Sequence, residues 1–469
     1  MTIDTKYPAK QHALSVKNHM GGGLFPAPII LLASPRTTLW PFCDQAQPFR
    51  QNRNFYYMSG CDLPDCYLTY DTGKDKLVLY LPPIDKDDVV WSGMPMSIEE
   101  AKAACDVDDV RYSDALKADL TREAVNGQTI CTVEALLEVS AHAAILGDTL
   151  SQCGSFKNPQ LMDALEEARA FKDDYEVALM RCASAISDNA HYKVMSTMKF
   201  HTNETHIHAE FVYHSIRAGS KNQSYDPICC SGRTCSTLHY VRNADDITGG
   251  KQLILIDAGA EWKNYASDVT RTFPISGEWT TEALAIYTLV LKMQTACMQR
   301  VAPEVLWDEL HLLAHEILIA GFLELGIFKD GTAEEILKSR ISAAFYPHGL
   351  GHMLGMDTHD TAGHANYSDP DPIFRYLRIR RELKAGMVVT VEPGIYFNPF
   401  LLDLFMRGEE GTGDGAKFVD KMVLEKYWDV GGVRIEDDVL VTPTGFENFT
   451  KIAKDPAEIS AIIKGAKSE

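Results

Sequence analysis

Apolar and polar positions alternate with a different grain in the two parts of this chain. Near the N-terminus, residues 27–33 (APIILLA) and 76–82 (KLVLYLP) are short, continuous apolar runs bounded by proline and polar turns. Runs of that length with those flanks predict buried strands. The stretches 98–105 and 132–146 have helical patterns, so this part reads as mixed α/β. A polar break follows over 155–172, around SFKNPQ. Beyond it, Val177, Met180, Ala183 and Ile186 recur at helical spacing, and Asp173 or Asp174 can cap the first turn. These signals predict one domain over 1–171 and a second over 172–469.

In the second part the apolar runs are again strand-like: QLILID (252–257), SDVTRTFP (267–274), MVVTVEP (387–393) and VRIEDDVLVT (433–442). Longer helical patterns fill 281–299 and 306–325. Segment 401–432 contains GEEGTGDG and reads as a flexible insertion. No short-motif repeat or long low-complexity tract is present.

Composition narrows the function classes. A chain of 469 residues exceeds what one hydrophobic core usually serves, which fits two domains. A net charge of −20 argues against nucleic acid and against an anionic membrane surface as partners. Eleven cysteines, an odd number with no CxxC pair, fit a reducing compartment better than a disulfide framework. The set Cys229, Cys230 and Cys235 comes closest to a metal cluster, but buried small hydrophobes account for it. The N-terminal MTIDTKYPAKQHALSVKN lacks the apolar segment of a signal peptide, and 27–33 is too short to span a bilayer. The cytoplasm is the expected location.

Five acids and bases stand at the ends of apolar runs or in a glycine-rich stretch. Asp257 ends LILID, and Asp268 lies in the next strand. A hairpin centred on Trp262–Lys263 would set the two aspartates opposite each other, with Cβ atoms roughly 4.5–5.5 Å apart. Carboxylates that close, at the ends of apolar strands, need a cation or a shared proton. The alternative is a pair of solvated turn acids. In PHGLGHMLGMDTHD (347–360), His348, His352 and His359 sit among Pro347, Gly349, Gly351 and Gly355, a loop composition rather than a helix. Glu392 ends MVVTVE before Pro393. Arg434 and Glu436, two apart, face the same way, so Glu436 could be a ligand or could simply pair with Arg434. One histidine with four carboxylates makes a hard, oxygen-rich set suited to two divalent ions, Mn²⁺ first with Co²⁺ or Zn²⁺ as alternatives. Paired ions lie roughly 3.5–4 Å apart and activate a water as nucleophile.

The stretches DAGAEWKNYASDVTRTFP, HGLGHMLGMDTHD, GMVVTVEPGIYF and GGVRIEDDVLVT resemble the four ligand motifs of the pita-bread metallopeptidases. Within these, the chain is similar to the proline-specific branch, Xaa-Pro aminopeptidase P and prolidase. FRQNRNFYYMSG (49–60) resembles the N-terminal domain of that branch, so the likeness runs from about residue 45 to 450. The resemblance implies a creatinase-like α/β domain followed by a pita-bread domain, and an exopeptidase that hydrolyses the Xaa-Pro bond. It implies Asp257, Asp268, His352, Glu392 and Glu436 as metal ligands, with Asp268 and Glu436 bridging both ions. Asp257 would complete one ion, and His352 with Glu392 the other. Glu392 would also carry the proton to the leaving proline nitrogen. His239 would touch substrate near the scissile bond, His359 would stabilise the oxyanion, and His348 would flank the proline ring. Arg434 would orient Glu436 or bind substrate. A homodimer is the expected assembly.

Segment 401–432 and YLRIRREL (376–383) resemble eukaryotic-type prolidase more than the shorter bacterial aminopeptidase pattern. By its offset before Glu392, Arg378 resembles the arginine that clamps a dipeptide's C-terminal carboxylate; the alternative is a surface arginine in an RxRR cluster. The substrate expectation is an Xaa-Pro dipeptide, with longer Xaa-Pro peptides as the alternative. A non-catalytic binding module on the same fold, a creatinase-type hydrolase and a methionine aminopeptidase fit less well, because all five ligands and a large N-terminal domain are present. His311 and His315, four apart on a helix, resemble half a zinc site without an HExxH motif and read as surface or structural residues. His201, His206, His208 and His214 read as a solvated face, and Gly21–Gly23 as a turn.

Overall fold

The computed structural model describes residues 5–21, 27–133, 156–157, 159–247 and 250–465. Most of the helix expected over 132–146, and Gly22 and Gly23, lie outside these residues. The chain divides into two compact units, Met1–Arg169 and Ala170–Glu469.

The first unit is built on a six-stranded sheet. Its order is Asp109–Tyr112, Lys76–Leu81, Tyr67–Asp71, Ile29–Ala33, Ile130–Thr132, Phe156–Lys157. Strand Ile29–Ala33 runs antiparallel to Tyr67–Asp71 and parallel to Ile130–Thr132. It is covered on both faces, which is why its sequence is an unbroken apolar run rather than an alternating one. Leu31, Val78, Tyr80, Leu116, Leu120 and Ile130 form a small core against it. FRQNRNFYYMSG contains the helix Arg53–Ser59, capped by Asn52, whose side chain accepts from the Phe55 N–H, and stopped by Gly60 at φ 64°.

The second unit begins with the helix Asp174–Thr197. Asp173, not Asp174, caps it, in a reciprocal capping box with Glu176. Val177, Met180 and Ala183 are buried and Ile186 is half-buried. One three-stranded sheet runs Thr270–Pro274, Leu253–Asp257, Ile228–Ser231; a second runs Val388–Val391, Asp437–Thr442, Gly445–Asn448. Helices Thr281–Met298 and Trp307–Glu324 pack with them in one large core.

Three expectations need correction. The strand expected from residue 267 starts at Thr270. The strand expected over 433–442 is two strands with different partners: Gly432–Arg434 pairs with Gly394–Tyr396, and Asp437–Thr442 with Val388–Val391. The chain changes sheet at Ile435–Glu436, where the Glu436 N–H donates to Thr270 O at 3.1 Å. Segment 401–432 is not a flexible insertion. Its polar centre is exposed, but Leu402, Phe405, Phe418, Leu424, Tyr427 and Val430 are buried in the core and hold both ends down. Among the described residues, no helix is long and apolar enough to cross a membrane.

Candidate metal centre

The two aspartates come from the Leu253–Pro274 hairpin, in a register different from the expected one. Its turn is Lys263–Asn264, both with positive φ (49° and 67°), a two-residue connection that matches strand twist. That shifts the pairing, so Asp257 faces Thr270 rather than Asp268. Asp268, two residues before Thr270, is the diagonal neighbour on the same face. Between them the backbones nearly touch: a Cβ at Gly259 would lie 1.8 Å from Ser267 O, so only glycine fits. The Tyr225 hydroxyl bonds both carboxylates, Asp257 and, at 2.5 Å, Asp268.

His352 is held by its backbone and by one face of its ring. Its N–H donates to Thr390 Oγ1 at 3.1 Å, and the Thr390 N–H donates to His352 O at 3.0 Å. Gly351 permits this approach, since a Cβ there would meet Thr390 O at 2.0 Å. Nδ1 lies 3.0 Å from Met353 O. A carbonyl can only accept, so Nδ1 carries a proton and Nε2 is a lone pair in the neutral ring. That Nε2 faces Asp268 Oδ2 at 3.3 Å, Glu392 Oε1 at 3.5 Å and Glu436 Oε1 at 4.0 Å.

Glu436 accepts from the Thr270 hydroxyl at 2.6 Å. Arg434 does not chiefly serve Glu436: its Nη2 donates to Asp257 at 2.5 Å, Nη1 to the Tyr396 hydroxyl at 2.9 Å and Nε to Thr270 Oγ1 at 3.0 Å, while Glu436 lies at 4.0 Å. The simple Arg434–Glu436 pair is therefore not what the fold builds.

Three buried carboxylates and the half-buried Glu392 around one guanidinium leave an excess of negative charge. Burial, with Asp268 adding to it, pushes Asp257 up to about 6 against the pull of Arg434, and Glu392 up to about 7 against the pull of His352 and Arg434. Glu436 is driven well above its ordinary value by burial and then by Asp268, Glu392 and Asp257. Asp268 alone is held below the usual carboxylate range: burial opposes this, but the bond from the Tyr225 hydroxyl and the His352 ring, which Asp268 and Glu392 favour in its protonated form while no metal is bound, outweigh it. Carboxylates that resist ionisation side by side, with an imidazole lone pair aimed among them, are the donor set of a divalent cation. Asp268, His352 and Glu436 each offer an atom within 4.8 Å of the others.

The other histidines of the cavity, unlike His352, are pushed towards the neutral form. His348 lies with Nδ1 2.8 Å from Gly349 O, and its Nε2 accepts from the Tyr396 hydroxyl at 2.8 Å. Burial, then Arg434, lowers it to about 3. His359 stands edge-on to His352 at 4.5 Å; burial, then His352 and Arg378, lowers it to about 3. His239 is lowered by burial and the same two arginines, Arg434 and Arg378. Arg378 is half-buried and donates to the Tyr367 hydroxyl at 3.3 Å.

All ten of Asp257, Asp268, His352, Glu392, Glu436, His239, His348, His359, Arg378 and Arg434 line one cavity of about 430 Å³. Tyr376, Asn398 and Leu401 are also part of its wall. Cys229, Cys230 and Cys235 are buried elsewhere, and His201, His206, His208 and His214 do not reach the cavity. Tyr225, Tyr396, Thr270 and Thr390 were not found from the sequence. Thr270 alone carried a signal, being two residues from Asp268 on one strand face.

Residues 178–443 match the model of metallopeptidase family M24, and residues 15–131 that of the aminopeptidase P N-terminal domain. An uncharacterized peptidase of Saccharomyces cerevisiae is 47% identical over 98% of this chain and 85% of its own length. A probable Xaa-Pro aminopeptidase of Colletotrichum graminicola is 47% identical over 98% of both chains. Among solved structures, aminopeptidase PepP of Pseudomonas aeruginosa superposes with a TM-score of 0.80 at 30% identity, covering 99% of this chain and 100% of that one. Aminopeptidase P of E. coli with the inhibitor Pro-Leu does so with 0.80 at 27% identity, covering 98% and 99%.

Proposed function

The chain belongs to metallopeptidase family M24, with an aminopeptidase P N-terminal domain before a pita-bread catalytic domain, and from that premise we propose that it cleaves the bond between an N-terminal residue and proline. The observation that carries this reading is the His352 Nε2 lone pair facing three carboxylates in a cavity lined by neutral histidines. Asp257, Asp268, His352, Glu392 and Glu436 would hold two divalent ions, Mn²⁺ first. When bound, the ions supply an activated water and polarise the scissile carbonyl.

The remaining chemistry belongs to the side chains. Glu392, which lines the cavity beside the other donors, can take a proton from the attacking water and pass it to the leaving proline nitrogen. His359, kept neutral, still has an N–H to offer the developing oxyanion. His239 contacts substrate near the scissile bond, and His348, fixed by Tyr396, flanks the proline ring. Arg434 orients Asp257. Arg378, which donates to Tyr367 and to no carboxylate among the described residues, is available for a substrate carboxylate. That favours Xaa-Pro dipeptides. The names of the fungal relatives favour the second reading, Xaa-Pro aminopeptidase action on longer peptides.

Hydrolysis of an Xaa-Pro dipeptide beside an Xaa-Pro-Xaa tripeptide, with Mn²⁺ and with chelator, separates the readings. Cleavage confined to the dipeptide supports the Arg378 clamp, and efficient tripeptide cleavage supports the second reading. No cleavage of either by metal-loaded protein removes both. A homodimer is part of the proposal: Trp40, Phe42, Val90 and Trp91 of the N-terminal unit are exposed apolar surface that a second copy could cover. So is a cytoplasmic location, supported by free thiols at every described cysteine.

A further inference from the structure

Beside His348 lies a second buried polar cluster that peptide cleavage does not use. His311 and His315 occupy successive turns of the helix Trp307–Glu324 and are fully buried. Their rings meet edge to face at 4.8 Å, and Tyr346 packs on both, at 5.4 and 4.8 Å. Tyr346 also meets the His348 ring at 5.1 Å. The cluster is therefore structural, as the sequence allowed, and not a surface feature.

Hydrogen bonds fix part of its protonation. His311 Nε2 lies 2.7 Å from Ile373 O, a carbonyl that can only accept, so the proton sits on Nε2 and Nδ1 is a bare acceptor. His315 Nδ1 is engaged with Ser342 Oγ at 3.0 Å. What remains is His311 Nδ1, His315 Nε2 and Tyr346 Oη, three buried polar atoms with no protein partner. Buried polar atoms are nearly always satisfied, and three exceptions on three touching rings point to one common ligand.

We propose that His311, His315 and Tyr346 enclose a binding site for a single water molecule. The three atoms are complementary to it. The Tyr346 hydroxyl donates to the water oxygen, the water donates to His311 Nδ1, and His315 Nε2 takes a third bond. Three is the usual number for a buried water. A divalent cation fits poorly. The set holds no carboxylate, and burial keeps the Tyr346 hydroxyl protonated far above its ordinary value. Burial and then Arg380 lower His311 to about 4 despite its bond to Ile373, and burial, His311 and Arg340 lower His315 further. A positive ligand would meet the same burial and the same arginines.

The test is Tyr346→Phe in the full, metal-loaded chain. If water uses the hydroxyl, its removal breaks a bond and lowers Tm by roughly 2 °C. If the hydroxyl is truly unpartnered, its removal relieves a desolvated group and Tm rises, which overturns the proposal. A high-resolution crystal structure gives a second, independent reading. An isolated density peak within hydrogen-bond distance of all three atoms supports the water site, and its absence overturns it. A zinc soak that places an anomalous peak there overturns it in favour of a metal.

Discussion

The aspartate wall and the histidine wall of the cavity are built in opposite ways. Asp257 sits at the end of a ladder in which five register pairs, from Thr270↔Asp257 to Pro274↔Leu253, fix the strands. His348, His352 and His359 lie in a stretch, 345–387, with neither helix nor regular strand. That wall depends on single contacts: His352 with Thr390, Glu392 N–H with Leu350 O, and Leu354 N–H with Val388 O. It depends also on glycines that let backbone meet backbone. A ladder spreads positional constraint over many bonds, whereas a loop of this kind concentrates it. The two walls should therefore tolerate backbone and side-chain changes differently.

The largest expected effect comes from the group both walls share. Asp268→Asn removes a carboxylate that faces His352 and Tyr225. Loss of outer partners of a metal ligand costs roughly 10–100-fold in affinity, so loss of the ligand should exceed about 100-fold in both metal affinity and kcat/KM. Retained metal and activity would break the assignment of this residue.

Next in size is a change that touches no ligand. Gly351→Ala places a methyl 2.0 Å from Thr390 O. Overpacking of that kind costs roughly 1–3 kcal/mol, and because it displaces His352 it should lower kcat as well. On the ladder, Ile256→Val should cost roughly 0.5–1.5 kcal/mol and leave kcat unchanged. Denaturation midpoints and turnover, measured on both variants, test the contrast; equal losses of activity would erase it.

Arg378→Ala should be smaller and selective. A bond to a charged group contributes roughly 1.5–3 kcal/mol, so KM for an Xaa-Pro dipeptide should rise about tenfold or more while tripeptide cleavage holds. An unchanged dipeptide preference would remove the clamp.

The mildest expected effect is on pH. Asp257 at about 6 and Glu392 at about 7 are both raised, so in the metal-free protein each still carries protons where an ordinary carboxylate has none. Metal must displace those protons. Apparent metal affinity should therefore fall as pH drops from about 7 through about 6, and rise in the other direction. Calorimetry across that window, showing no pH dependence, would mean the two acids do not bind metal.

The same contrast explains what could be read from the sequence. Acids ending apolar strands at Asp257 and Glu392, and histidines crowded among glycines at 348–359, are signals that composition and period expose. The hairpin register was not readable: Lys263 and Asn264 adopt positive φ without the Asn-Gly or Asp-Gly signal that usually marks such a turn. Tyr225 lies in a short polar connection before Ile228, and nothing in its spacing shows that its hydroxyl joins two carboxylates. Segment 401–432 looked loose because GEEGTGDG dominates it, while the apolar residues that anchor it follow no regular period. Arg434 was placed on the correct face, but side-chain reach, which pattern does not encode, sends it to Asp257.

The most direct test is a titration of metal-free protein with Mn²⁺, following bound metal and Xaa-Pro hydrolysis together. The paired-metal site predicts silence in chelator and activity that grows as the second ion per chain is bound. Full hydrolysis in chelator, or a chain that binds no Mn²⁺ at these residues, would contradict it.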